Sequence, residues 1–221
     1  MFSAWTKYGG LTSSINFVSP ILGSGSLQMV GTGDSQMESN EDSLYTHGLQ
    51  RGIIRSLFRV DAAGTGENLC GISYLQSVQN MLTTGHGLFV GYKVVGSSSP
   101  NSSVVIVAQT YGFSGSGGFS ESPTTIYTSS AFTLTYGTTI GALQVEWELE
   151  PTVLSAIRII ISEGHGLLTD FSNLVPLTTL EITSSEVGYS TSHVSESLYF
   201  KQAGSGSATF QADSSRISSL E

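Results

Sequence analysis

The feature that most constrains this chain is a period-two alternation of apolar and polar side chains that recurs along its length. It is clearest where Leu143, Val145 and Trp147 are separated by polar residues. Successive side chains of a β-strand point to opposite faces, so such a segment buries one face and leaves the other to water. Similar segments lie at 88–94, 132–136, 157–161, 179–183, 198–201 and 208–213. With the continuous apolar run at 104–108, they predict about ten to twelve strands.

The composition argues against helical and disordered chains. Charged residues make up 11% of the chain and Lys plus Arg number 8, whereas a soluble domain usually has about 25% charged residues. Helical bundles need many Lys, Arg, Glu, Leu and Ala residues. Disordered chains lack the aliphatic and aromatic residues found here. The chain is therefore predicted to be all-β, with Gly, Ser, Pro and Asn clusters as its turns.

Charge and cysteine content limit the partners. The formal net charge is −9 and the isoelectric point is about 4.8, which argues against nucleic acid because phosphate binding needs clustered Lys and Arg.

The single cysteine, Cys70, lies in an apolar strand and is expected to be a buried thiol. The apolar runs are short, which predicts no membrane span. The first residues have no pattern of a secretory signal.

One segment is ambiguous. Residues 51–60 fit an amphipathic helix, but the β-branched residues and Gly52 favour a strand. As a strand, the segment places its three arginines on one face: Arg51, Arg55 and Arg59. We expect them to pair across the sheet with three glutamates that share one face of a neighbouring strand, Glu146, Glu148 and Glu150.

Candidate catalytic groups have simpler interpretations. The triplet His-Gly-Leu begins at His47, His86 and His165, and three imidazoles could bind zinc. A turn before each apolar run explains the same pattern. Two of the glutamates could act as a glycosidase pair, but Trp147 between them indicates a solvated strand face above a core. No nucleophile or phosphate-loop motif is present. The sequence therefore predicts no enzyme, no metal site and no cofactor.

Aromatic residues in the predicted loops suggest a different chemistry. Tyr111, Phe113 and Phe119 lie in or beside a Gly- and Ser-rich stretch at 112–131, which is the longest predicted loop. Such rings can stack on sugars, so they are candidate glycan contacts; the alternative is ordinary loop packing.

The N-terminal residues 1–22 look like an arm. They carry four apolar anchors separated by polar residues, namely Trp5, Tyr8, Ile15 and Phe17. An apolar arm must be covered, either by closing the edge of its own sheet or by docking on a neighbouring subunit. Residues 23–221 are then one domain.

The order of segments resembles the concanavalin A-like (laminin-G-like) jelly roll. The segments that carry the resemblance are 23–30, 54–60, 70–75, 87–92, 143–149 and 210–217. The resemblance implies an antiparallel β-sandwich in which the opening strand pairs with the closing strand. The metal-binding residues of legume lectins have no counterpart in this chain.

The composition is also similar to that of virion proteins of tailed bacteriophages. This resemblance implies a non-enzymatic structural role, as a capsid decoration (cement) protein or a tail or fibre subunit in the virion. The partners would be other virion proteins, with a homo-oligomer such as a trimer. The alternatives are a lectin-like carbohydrate-binding module for host-surface glycans and a glycan hydrolase.

Overall fold

A computed structural model describes most of the chain. The described residues are 5–9, 12–32, 35–39, 51–76, 84–114, 123–149, 156–168, 170–183, 195–203 and 206–219.

These residues form fifteen β-strands and no helix. The strands are β1 (Trp5–Gly9), β2 (Thr12–Asn16), β3 (Ser26–Thr32), β4 (Ser35–Ser39), β5 (Arg51–Ala62), β6 (Glu67–Gln76), β7 (Thr84–Ser98), β8 (Asn101–Ser114), β9 (Thr124–Thr128), β10 (Phe132–Thr135), β11 (Ile140–Leu149), β12 (Ala156–Gly166), β13 (Val175–Thr183), β14 (Ser195–Ala203) and β15 (Ser207–Ser219).

The strands build two antiparallel sheets. The first sheet has the order β1-β4-β14-β6-β7-β8-β10, and β9 also pairs with β8. The second sheet has the order β13-β12-β11-β5-β15-β3-β2. The opening strand β3 pairs with the closing strand β15, with Leu27 opposite Ala212. The all-β class predicted from the alternation and the composition is thereby confirmed, as is the antiparallel β-sandwich that the resemblance implies.

The core is a dry layer between the facing sides of the two sheets. The second sheet contributes the inward members of the alternating segments, including Phe58, Val145 and Ile161, and the first sheet contributes Val90 and Ile106. Trp147 is 2% exposed, as expected for a core residue, and Cys70 is fully buried. Burial raises the pKa of the Cys70 thiol, so it stays protonated.

The ambiguous segment 51–60 is a strand. It lies in the middle of the second sheet between β11 and β15, where central strands need β-branched and aromatic residues on both sides. Ile54 and Phe58 point into the core, and Arg55 and Arg59 lie on the opposite face.

The predicted loop at 112–131 is wrong in part, because main-chain pairing extends into polar stretches. In the same way, the polar stretch 31–48 contains β4, which pairs with β1 and β14. The stretch 112–131 is shortened by the end of β8 and by β9. Main-chain hydrogen bonds need no apolar side chain, so an alternation pattern does not reveal such strands.

The N-terminal segment supplies edge strands. Its residues 5–9 pair with β4 at one edge of the first sheet, and residues 12–16 pair with β3 at one edge of the second. In the described residues the segment thus forms edge strands of the protein's own sheets, and docking on a neighbouring subunit stays a prediction.

A glycine makes room for the largest core side chain. Gly52 lies opposite Trp147 on the neighbouring strand, and a Cβ atom built on Gly52 would be 2.7 Å from Nε1 of the indole. Among the described residues, this Nε1 is buried and has no hydrogen-bond partner.

We predict that Gly52→Ala destabilises the protein by about 1–3 kcal/mol, the usual cost of overpacking a core. The measurement is urea unfolding followed by tryptophan fluorescence. The matched control is Gly96→Ala, where the nearest atom to the added Cβ is 3.6 Å away. Equal unfolding midpoints for the two variants would contradict the packing argument.

Candidate functional site

The outer face of the second sheet is covered at one end by two connecting segments. A small apolar cluster joins Ile21, Leu57, Ile140 and Ala142, and the side chains packed against it are Leu22, Leu168, Phe171 and Leu174. The segments before β3 and before β13 therefore lie over this end of the sheet.

A buried ion pair fastens one of these segments. Arg59 is 5% exposed; its Nε donates to Asp61 Oδ1 at 2.7 Å and its Nη2 donates to the main-chain oxygen of Ser19 at 2.7 Å. Gln211 also donates to Asp61, at 2.5 Å, and accepts a hydrogen bond from Ser26. Since each of these charged groups has a partner, the pair has a structural role.

Beyond the covered end lies what we call the polar face of the second sheet. Its members are Arg55, Gln144, Glu146, Glu148, Arg158 and Glu181, all on the outer side of β5, β11, β12 and β13. Arg55 Nε donates to Gln144 Oε1 at 2.6 Å, and Gln144 Nε2 donates to Glu146 Oε1 at 2.8 Å. The Arg55 guanidinium lies 5.9 Å from the centre of the Phe171 ring.

The expected pairing of arginines with glutamates holds in a modified form. Glu148 is the register partner of Arg51 on one side and of Arg158 on the other. Arg55, however, reaches Glu146 through the amide of Gln144, because Gln144 rather than a glutamate is its register partner. Glu150 lies outside the described residues.

A second group of ionisable side chains lies between the sheets. We call Glu163 and His165, both on β12, the rim pair. Nδ1 of His165 is 3.1 and 3.2 Å from the two carboxylate oxygens of Glu163. The side chain of Glu163 is 11% exposed and that of His165 is 41% exposed. The imidazole stacks on Phe132 of the first sheet, with the ring centres 4.5 Å apart.

Glu163 affects two tyrosines of the opposite sheet. Burial raises the pKa of Tyr92, and the negative charge of Glu163 raises it further. Burial and the same carboxylate raise the pKa of Tyr127. Both phenols therefore keep their protons at neutral pH. Tyr92 donates to the main-chain oxygen of Ala142 at 3.2 Å.

The turn interpretation of the His-Gly-Leu triplets is wrong for His165. This residue lies inside β12, as His86 lies inside β7, and His47 lies outside the described residues. The signal that the sequence reasoning missed is Glu163 itself, because it follows Ile159 and Ile161 at the next inward position of the strand. A carboxylate at an expected core position needs a polar partner, which makes it a candidate functional group.

The predicted contact residues are spread over the fold. Tyr111 and Phe113 lie at the end of β8, in a strand instead of a loop, and Phe119 lies outside the described residues. Trp5 and Tyr8 are in β1. Ile15 is half-buried in β2, whereas Phe17 is 72% exposed. Docking through these residues and glycan contact through the loop aromatics stay predictions.

Within the described residues, no three His, Cys, Asp or Glu side chains come close enough together to hold a metal ion. No helix in the same part of the chain is long and apolar enough to cross a membrane.

Comparison with known proteins identifies relatives in structure only. No known protein family matches the sequence, and neither does any curated protein. Among solved structures, the marine PL-14 alginate lyase from Aplysia kurodai superposes with a TM-score of 0.54 at 10% identity, covering 99% of this chain and 92% of the lyase. The cellulose induced protein Cip1 gives a TM-score of 0.53 at 14% identity, with the same coverages of 99% and 92%.

A third similar structure is the exoplasmic/lumenal domain of VIP36 with Ca²⁺ and Man3GlcNAc bound. Its TM-score is 0.52 at 13% identity, covering 98% of this chain and 86% of VIP36. None of these three is a virion protein, so they lend no support to the expected phage role. The fold is that of the jelly-roll, concanavalin A-like β-sandwich.

The expectation that the chain is not an enzyme is wrong. It rested on the absence of a known catalytic motif, but an alginate lyase has the same β-sandwich fold. At 10% identity the likeness concerns the fold and does not assign catalysis to this chain. Because of this likeness, the absence of a known motif is no reason to exclude enzymatic activity.

We predict that Tyr92→Phe lowers the free energy of unfolding at neutral pH and weakens its dependence on alkaline pH. The variant loses the hydrogen bond to Ala142, which costs about 1 kcal/mol. A tyrosine of the unfolded chain has a pKa of about 10. The pKa of Tyr92 in the folded protein is higher, so its contribution to the free energy of unfolding is fully present below the unfolded pKa and is lost as the pH rises above it.

The measurement is urea unfolding of wild type and variant at neutral pH and above the ordinary tyrosine pKa. The wild type should lose more of its free energy of unfolding between the two conditions than the variant. An equal loss would show that Tyr92 is not the group responsible.

Proposed function

We propose that this protein binds carbohydrate on the polar face of the second sheet. The observation that carries the proposal is the hydrogen-bonded series Arg55–Gln144–Glu146 beside the ring of Phe171. It combines donors, acceptors and an aromatic surface on one side of a sheet.

These groups suit the chemistry of a sugar. A sugar ring carries hydroxyl groups that both donate and accept hydrogen bonds, and C–H groups that pack on apolar surface. Arg55 uses its Nε–H for Gln144, and a guanidinium has four further N–H donors. The second oxygen of Glu146 can accept from a ligand hydroxyl, and Phe171 offers half-buried apolar surface.

The series is also held in place before any ligand arrives. Each of its two hydrogen bonds joins planar side chains on paired strands or within one strand. Fixing these rotamers in the free protein reduces the conformational entropy lost on binding. In this respect the polar face differs from ordinary surface charges, whose side chains are not fixed by hydrogen bonds.

The structural comparisons support the proposal by analogy of fold. The VIP36 domain was solved with Man3GlcNAc bound, and the marine enzyme is named an alginate lyase. The net charge of −9 accords with a ligand that is not nucleic acid.

We predict that Gln144→Ala weakens glycan binding at least tenfold, because it breaks both hydrogen bonds of the series. The experiment is a glycan array followed by calorimetry on the best ligand. The matched control is Gln109→Ala, which removes another buried glutamine, bonded to Thr125 on the first sheet. The proposal fails if the wild type binds no glycan, or if both variants bind as the wild type does.

A second candidate function is glycan cleavage, favoured by the rim pair. A histidine whose Nδ1 faces a carboxylate keeps Nε2 available to accept a proton, which is the arrangement of an oriented general base. The stacked ring of Phe132 fixes the imidazole.

Incubation with a polysaccharide panel that includes alginate decides between the two candidates. Cleavage predicts new chain ends with the wild type and at least a tenfold lower rate with His165→Ala, since the base is removed. Pure binding predicts no new chain ends with either protein, and an unchanged rate in the variant would exclude the rim pair from the reaction.

A further inference from the structure

A cleft of about 510 Å³ opens at the end of the sandwich between three chain segments. The segments are the β5–β6 connection, the last residues of β7 and the start of β15. The volume lies within the range of about 300–1,000 Å³ found for small-molecule sites. Its lining includes no residue of the polar face or of the rim pair.

The lining of the cleft is uncharged. Its side chains are the hydroxyls of Thr65, Ser97 and Ser207 and the apolar groups of Ala63, Val94 and Val95, and the remaining lining residues are glycines. A charged ligand would therefore lose its hydration without meeting a counter-charge. Hydroxyls alternating with aliphatic groups match a neutral ligand that has both.

Contacts within the protein hold the walls of the cleft in place. Asn68 is fully buried; its Nδ2 donates to the main-chain oxygens of Gly64 and Gly66 at 3.0 and 3.1 Å, and its Oδ1 accepts from the Gly64 amide at 3.3 Å. Gly206 has a φ of 101° and packs against Gly64, where an added Cβ would be 3.4 Å from the Gly64 Cα. The buried amide of Asn68 thus holds the wall formed by the β5–β6 connection, and the contact between Gly206 and Gly64 joins this wall to the start of β15.

A hydrogen-bond chain orients one hydroxyl of the lining. Ser102 Oγ donates to the Tyr136 hydroxyl at 2.5 Å, and that hydroxyl donates to Ser97 Oγ at 3.1 Å. Ser97 therefore accepts from the protein, and its own proton can be donated to a ligand in the cleft.

We propose that this cleft binds a neutral polyhydroxylated molecule of about one sugar ring. The site is separate from the polar face: Arg55 and Ala63 lie eight residues apart along β5 and its end, which is about 26 Å of extended chain. The inference does not depend on glycan binding at the polar face.

The experiment titrates the protein with glucose, mannose and galactose and follows amide chemical shifts by NMR. We expect saturable binding of at least one sugar, with a Kd on the order of 1 mM. Ser207→Trp fills the cleft and should weaken that binding at least tenfold. The matched control, Thr179→Trp, replaces another exposed strand residue far from the cleft and should bind as the wild type does.

Further variants and ligands test the same site. Ser97→Ala should weaken binding several-fold even if Ser207→Trp does not fold. Glucuronate and glucosamine should bind more weakly than the neutral sugars. The amide signals that move should be those of Gly64, Gly96 and Gly206 at the cleft and not those of Gln144 and Glu146, which distinguishes the cleft from the polar face. The inference is overturned if the wild type binds none of the three sugars, if the cleft variants bind normally, or if charged sugars bind equally well.

Discussion

The dry layer between the two sheets is the constraint on which the rest of this structure depends. Two stacked sheets lie about 10 Å apart, so each large inward side chain needs space on the strand beside or opposite it. Gly52 provides that space for Trp147, and Gly141 provides it for Tyr92, whose hydroxyl would be 2.5 Å from an added Cβ. The glycines of this protein thus serve packing as well as turns.

Once one face of each strand is committed to the core, the outer faces carry the chemistry. On the second sheet, the polar groups near the covered end are satisfied internally, as in the Arg59–Asp61 pair. Those farther along, the series Arg55–Gln144–Glu146, are held in place but keep donors and acceptors for a ligand. The two sets differ in exposure: Arg59 is 5% exposed, whereas Arg55 and Glu146 are half-buried. The rim pair differs from both, because its carboxylate points between the sheets.

The comparisons and the side chains answer different questions. A sandwich of this kind occurs in a lyase and in a domain solved with an oligosaccharide, so the architecture is compatible with binding and with catalysis alike. Function has to be argued from particular groups. Here these are an amide held between an arginine and a glutamate, a histidine held by a carboxylate, and an uncharged cleft.

The sequence by itself determined the strands that alternate, their inward faces and the all-β class, since side-chain alternation is a local property of the chain. It also indicated that Arg55 and Glu146 share a sheet face. Only the tertiary structure decided that β4 joins the first sheet, that residues 5–9 and 12–16 lie at two sheet edges, that His165 stacks on Phe132 and that three chain segments line a cleft. These features depend on pairing between residues far apart in sequence, and a strand's own pattern does not encode its partner.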